Sequence, residues 1–304
     1  MKQILRITIG LTISCLIAAL VMGSVFTVTD KAKKHNEHQN VQNTMLELLG
    51  YTKTNPAPSD LKLYAIYRYI VEDGEEKYLG YMTPVEKDGE ESYQLLLITL
   101  AGKFAARYDV PIAPEEAIEA PNREKALKAV LKPPKRFIYA DSTVIAKLGE
   151  KRLAYLLPGE FPGFKTFISV MLALDPGFKI LGLEIMEHEE DPGLGAEIEE
   201  EYFKNQFEGK TFDKVKELSV VKEPLPDNYR KYLETEKWGK GAFTEEEIES
   251  FRRKYKDQDI YALTGATISS QSVTDGVKGI IKRFAYRVEI LDDVISQQKI
   301  PVAF

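Results

Sequence analysis

Two short stretches contain residues whose types and spacing could do chemistry. The first is Leu263-Thr264-Gly265-Ala266-Thr267-Ile268-Ser269-Ser270. It presents four hydroxyls around two small residues, just before an amphipathic run. Small residues let another group approach the backbone closely, and free N–H groups at a helix start favour an anion. The same residues also read as a turn followed by a cap, with Ser272 and Asp275 at the spacing of a capping box. The second stretch is His188-Glu189-Glu190-Asp191-Pro192-Gly193-Leu194-Gly195, a loop whose proline and glycines restrict its shape. His188 reads equally as a loop cap or as a ligand contact. Glu190 is placed to hold the loop through backbone N–H groups.

Elements of the right kind flank both stretches. Val273, Val277, Ile280, Ile281, Phe284 and Val288 recur three, four or seven apart, which predicts a helix from about Ser270 to Arg287. Thr166–Leu174, the turn Asp175-Pro176-Gly177 and Phe178–Glu187 predict a hairpin that runs into the loop. Ile198, Tyr202, Phe203 and Phe207 predict a short helix after it, and Lys214–Lys222 one more strand. Upstream, strands are expected at 61–70, 77–85, 93–100, 136–148 and 151–157, with Asp73-Gly74 as a hairpin turn. The proline-rich segment 111–134 reads as a surface insertion with a helix or two. Thr244 and Glu247 mark a helix start. Trp238 and the many tyrosines read as core or interface. The acidic runs 187–191 and 197–201 read as solvated faces that could also guide a docking partner.

Composition excludes several classes. The 304 residues are 44% hydrophobic and 29% charged, with a net charge of −6 and no long basic block. Nucleic-acid binding, which needs a positive footprint, is not expected. One cysteine, Cys15, rules out an internal disulfide framework, a zinc ribbon and a thiolate-held iron–sulfur cluster. His35, His38 and His188 are too scattered for an obvious metal site, so any redox chemistry falls to an organic cofactor. Residues 7–28 carry no charge, enough to cross a hydrocarbon core of roughly 30 Å. The run is long for a cleaved signal peptide and lacks its small-residue cleavage site, and Thr12-Ile13-Ser14 is a poor lipoprotein site, so an uncleaved anchor is expected. Lys2 and Arg6 precede it, and Asp30, Lys31, Lys33 and Lys34 follow; this count leaves orientation open.

Taken together, the two stretches resemble the FMN-binding domain of a known family. That family comprises the G subunit of the Rnf ion-translocating ferredoxin:NAD oxidoreductase complex and the C subunit of the sodium-translocating NADH:quinone reductase. Its loop reads roughly His-x-Glu-Thr-Pro-Gly-Leu-Gly, and its second motif Ser/Thr-Gly-Ala-Thr-x-Ser/Thr-x-x-Val. Thr264, Gly265, Ala266, Thr267 and Ser269 meet the second motif, with Val273 offset by one residue. The chain departs twice, with Tyr261 where the family has an aspartate (the nearest acid is Asp259) and Asp191 where it has a threonine. The resemblance implies FMN held through a phosphoester on Thr267, with Thr264, Gly265, Ala266, Ile268 and Ser269 around it. It implies His188, Glu190, Pro192, Gly193 and Leu194 at the flavin wall, with Asp191 structural. It further implies a separate flavin transferase that uses FAD, and membrane subunits as partners, one bearing a second flavin.

The expected protein is therefore an α/β electron-carrying subunit of an Rnf-type complex, with a mixed or antiparallel sheet behind one transmembrane helix. No residue need act as an acid or base, and no independent turnover is expected. The divisions are an anchor (1–30), a stalk and linker (31–60), a first part with the insertion (61–160), the FMN-binding part (161–290) and a loosely held tail (291–304). The resemblance implies that the soluble part faces outward from a bacterial cytoplasmic membrane. The alternatives are the C subunit of the quinone reductase and, in another class, a flavin-free anchored assembly or binding protein.

Overall fold

The computed structural model describes residues 2–87, 89–234 and 243–304; Trp238 lies outside the described residues. Contacts divide the chain into two units, Met1–Glu47 and Leu48–Phe304. The first is formed by helix α1 (Lys2–Leu48). Within it Gln3–Phe26, 24 residues of mean hydropathy 2.3, is long and apolar enough to cross a membrane. At 1.5 Å per residue that stretch extends about 36 Å. The helix continues through the polar segment expected as a stalk.

The second unit is built on an antiparallel sheet. Its strands are β1 (Leu61–Asp73), β2 (Glu76–Lys87), β3 (Glu90–Thr99), β4 (Phe104–Val110), β5 (Arg136–Leu148), β6 (Lys151–Pro162), β7 (Phe167–Leu174) and β8 (Ile180–Glu187). Their order is β4-β3-β2-β1-β5-β6-β7-β8, so sequential hairpins make most of the sheet. The mixed α/β class with an antiparallel sheet agrees with expectation. Strand β4 escaped the sequence reading. It is an edge strand whose alternate residues Ala105, Arg107 and Asp109 are exposed, so its apolar signal is thin.

Side chains alternate between two cores. Leu95 and Leu97 of β3 enter one, Leu96 and Ile98 the other. The first core lies under α2 (Pro114–Ala117) and α3 (Ala120–Val130). This corrects the reading of 111–134 as a surface insertion. Ile112, Ala117, Leu127 and Leu131 are buried, because the sheet face beneath them is apolar and needs a cover.

The second core lies under helix α8 (Thr267–Gln298). All six periodic positions from Val273 to Val288 are buried. Two glycines let this helix press on β6. A Cβ on Gly276 would stand 2.2 Å from Phe161, and one on Gly159 would stand 2.3 Å from Ile280. The helix runs beyond Arg287 to Gln298, and the expected loose tail is held. Val294, Ile300 and Ala303 are buried, and Gln94 Nε2 donates to the Pro301 carbonyl at 2.6 Å.

Between β8 and α8 lie a 3-10 turn (Gly195–Glu199), α4 (Glu201–Lys204), α5 (Phe212–Glu217), β9 (Val220–Val221), α6 (Asp227–Leu233), α7 (Glu245–Tyr255) and β10 (Ile260–Tyr261). The strand expected over 214–222 is shortened to two residues, and 214–217 belong to helix α5. Thr211 caps α5 by accepting from Lys214 N, and only Val220 and Val221 pair, in parallel with β10. The capping box at Thr244 and Glu247 is present.

Candidate functional site

The helix that carries the hydroxyl-rich stretch begins three residues earlier than expected. Thr267 is its first residue, and Ala266 precedes it without a side-chain cap. The expected box at Ser272 and Asp275 is absent, because both lie inside the helix and Asp275 accepts from Gln271 Nε2 at 2.8 Å. The first N–H groups of a helix have no intrahelical acceptor. With no capping side chain, the N–H groups of the first turn beside Thr267 suit a negative group there.

The four hydroxyls have different fates. Ser270 Oγ accepts from Leu263 N and donates to the Ala266 carbonyl, each at 3.0 Å, which closes the turn. Ser269 is buried and donates to Glu190. Thr264 is exposed, and Thr267 is half-buried at the helix start. Gly265 has φ +79°, a conformation that side-chain-bearing residues rarely adopt. A groove of about 660 Å³ opens at Thr267 and Ile268, walled by Glu160 and Phe161 of β6, Lys222, Gln271 and Ser272.

The fold brings the loop to this stretch. A Cβ on Gly265 would lie 3.0 Å from Leu194 Cδ2. Pro192, Gly193 and Leu194 are exposed, and Ile268 is 59% exposed, so apolar surface from both segments is open to a ligand. Asp191 pairs with Lys165, so its charge is balanced.

His188 and Glu190 both engage protein partners. His188 Nδ1 accepts from Glu190 N at 3.0 Å. Its Nε2 is 2.8 Å from Glu199 Oε1, off the angle of a hydrogen bond. The ring thus accepts from the loop's own backbone. Glu190 is 4% exposed, and its carboxylate points to protein donors. The loop curls over this side chain, so Glu190 braces it from inside.

Tyr261, which replaces the family aspartate, is fixed through its backbone. Its N–H donates to Gln206 Oε1 at 2.7 Å, and its carbonyl accepts from Gln206 Nε2 at 3.3 Å. Asp259 is already engaged by Lys214 at 2.7 Å and by Ser219. Burial pushes its carboxyl upward, but the hydrogen bonds from Lys214 and Ser219 outweigh this and hold it below the usual range.

Sequence reasoning missed Lys222 and Gln271 as groove residues. Gln271 lies four residues after Thr267 and shares its helical face, so the helical period could have found it. Lys222 reaches the groove through the β9–β10 pairing, which leaves no local signal. With one half-buried hydroxyl at a bare helix start, a positive-φ glycine against the loop, and an adjoining groove, the residues present fit a phosphate-bearing cofactor at Thr267.

Comparison with known proteins points to the same part of the chain. Residues 163–282, which include both stretches, match the family model of the FMN-binding domain. The G subunit of the proton-translocating ferredoxin:NAD(+) oxidoreductase complex of Clostridium ljungdahlii is 31% identical over 138 residues, 45% of this chain and 57% of that protein. The G subunit of the ion-translocating oxidoreductase complex of Pasteurella multocida is 29% identical over 123 residues, 40% of this chain and 54% of that protein. The chain thus spans little more than half the length of these relatives. Among solved structures, the NqrC of Shewanella oneidensis aligns with TM-score 0.42 and 16% identity over 80% of this chain and 91% of that one. The C subunit of the Na(+)-translocating NADH-quinone reductase of Parabacteroides distasonis aligns with TM-score 0.32 and 19% identity over 47% and 60%. The chain is similar to these G subunits over part of its length, and its residues 163–282 match an FMN-binding domain.

Proposed function

We propose that this chain is a membrane-anchored electron-carrying subunit of an Rnf-type complex, with FMN bound through a phosphoester to Thr267. The observation that carries the reading is the fate of the hydroxyls. Ser269 and Ser270 are turned inward, whereas Thr267 stands at the first position of a helix whose N-terminal amides suit a phosphate. Gly265, Ala266 and Thr264 leave space at that hydroxyl, and Pro192, Gly193, Leu194 and Ile268 offer apolar surface to the ring system.

When bound, FMN supplies the electron chemistry, and the protein supplies position and electrostatics. The residues here bind and orient, and none is assigned a proton transfer. Attachment would be made by a separate flavin transferase. The Gln3–Phe26 helix is read as an anchor in a bacterial cytoplasmic membrane, with the sheet domain on the outer side. Its partners in this reading are the membrane subunits of the complex, one of them flavin-bearing.

The test is to co-express the full chain with a flavin transferase and examine the denatured band for flavin fluorescence. We expect fluorescence on the wild-type band and none on Thr267→Val. A dark wild-type band would favour the flavin-free assembly protein. Fluorescence that survives Thr267→Val would overturn the attachment site. The subunits that co-purify with the chain separate the Rnf-type reading from the quinone-reductase one.

A further inference from the structure

A buried carboxylate lies beside the proposed attachment point. Glu190 is 4% exposed. Its Oε1 accepts from the N–H groups of Phe164 at 2.7 Å and Lys165 at 3.2 Å, and its Oε2 accepts from Ser269 Oγ. Three segments therefore meet on one side chain: the turn after β6, the loop that follows β8, and the first turn of α8. The fit is close. A Cβ on Gly163 would stand 2.5 Å from Oε1, and one on Gly195 would stand 2.7 Å from Oε2.

The Lys165 ammonium feels the Glu190 charge without forming an ion pair to it. Among the described residues no ammonium or guanidinium forms an ion pair with Glu190. Lys165, whose amide it binds, turns its own ammonium to Asp191. The other charged groups of the loop, Glu187, Glu189 and Glu199, are also acidic, and His188 directs Nδ1 to the Glu190 amide. The hydrogen bonds alone do not require this charge. A glutamine could accept the two amide N–H groups on its oxygen and donate its NH₂ to Ser269 Oγ. A buried charge is costly unless hydrogen-bonded; three donors meet that cost here, and the charge remains to act on the helix start beside it.

We propose that Glu190 is a positioning residue that also sets the reduction potential of the flavin. It holds loop and turn to the flavin-bearing helix, and its charge makes electron uptake there harder. The inference rests on the reading of Thr267 as the flavin site. Each electron taken up without a proton adds one negative charge to the site. A fixed carboxylate bonded to Ser269, two residues from the attachment point along the helix, opposes that charge, and low-dielectric surroundings strengthen the opposition. Removing the negative charge should favour the reduced form. Removing the Ser269 hydroxyl, which donates to the carboxylate, should leave that charge less compensated and disfavour it.

The experiment is a redox titration of the flavin-loaded full chain against a reference dye, comparing wild type, Glu190→Gln and Ser269→Ala. We expect Glu190→Gln to shift the equilibrium toward reduced flavin by about tenfold, ~59 mV for a one-electron couple. We expect Ser269→Ala to shift it the opposite way. A residue that only braced the fold would move both variants in the same direction or neither. Loaded variants with unchanged potentials, or with shifts of one sign, overturn the proposal and leave the flavin reading intact. A wild-type chain without flavin overturns the attachment reading and this proposal with it. Should Glu190→Gln fail to fold, a Ser269→Ala potential equal to or above wild type overturns it.

Discussion

Gly265 and Leu194 face each other across the candidate site, 71 residues apart in the chain. A Cβ on Gly265 would lie 3.0 Å from Leu194 Cδ2, and Gly265 holds φ +79°. The contact joins the loop after β8 to the turn before α8, and it requires a residue without a side chain on the second partner.

Gly265→Ala should therefore be harmful twice. An L-residue at this φ costs about 1 kcal/mol or more, and the new methyl must displace Leu194. We expect the melting temperature to fall by a few degrees and flavin attachment to drop severalfold. Thermal unfolding and in-gel flavin fluorescence check the two effects separately.

Removing residues 299–304 should destabilise the sheet domain. The Pro301 carbonyl accepts from Gln94, Ala303 N donates to the Pro84 carbonyl at 3.1 Å, and Lys147 Nζ donates to the Ala303 carbonyl at 3.3 Å. Gln94 is fully buried, so the truncation leaves its amide without this acceptor, a loss of about 1–3 kcal/mol. A denaturant midpoint lower than wild type at unchanged slope is the expected outcome. A midpoint equal to wild type would return the tail to the loose state expected from sequence.

Stability should depend on pH through Lys210. The side chain is buried and donates to the Gln258 carbonyl at 2.7 Å. Burial, helped by the charge of Lys214, lowers it from 10.5 to about 8. The unfolded chain holds this proton up to about pH 10.5, whereas the folded chain releases it near pH 8. The unfolded state thus binds more protons across that window, so this group adds stability as pH rises. The difference in unfolding free energy between wild type and Lys210→Met should rise between about pH 8 and 10, by at most ~1.4 kcal/mol per unit. A flat difference would show that the ammonium is solvated.

What the sequence by itself determined lies in short segments whose meaning is local. The helical stripe Val273–Val288, the hairpin turns and the two motifs depend on neighbours a few residues apart. Periodicity and residue type therefore disclosed them, and the resemblance pointed to Thr267. Local signals misled where long-range contacts prevail. Segment 111–134 looked polar and proline-rich, yet a distant sheet face recruits its few apolar residues. The tail looked short and unpatterned, yet buried Gln94 takes up its backbone. Residues 214–217 were expected within a strand, but the cap at Thr211 starts a helix that takes them in.

Only the tertiary structure decided which polar groups in the motifs turn inward. Ser269 and Glu190 are 79 residues apart, and no local rule pairs them. Their bond forms because Gly276 and Gly159 let α8 lie close on β6, which brings the first turn of the helix down to the loop. The same close packing leaves Thr267 as the half-buried hydroxyl at the helix start and buries Glu190 as a support. Sequence identified the residues of the site, and packing distributed their roles.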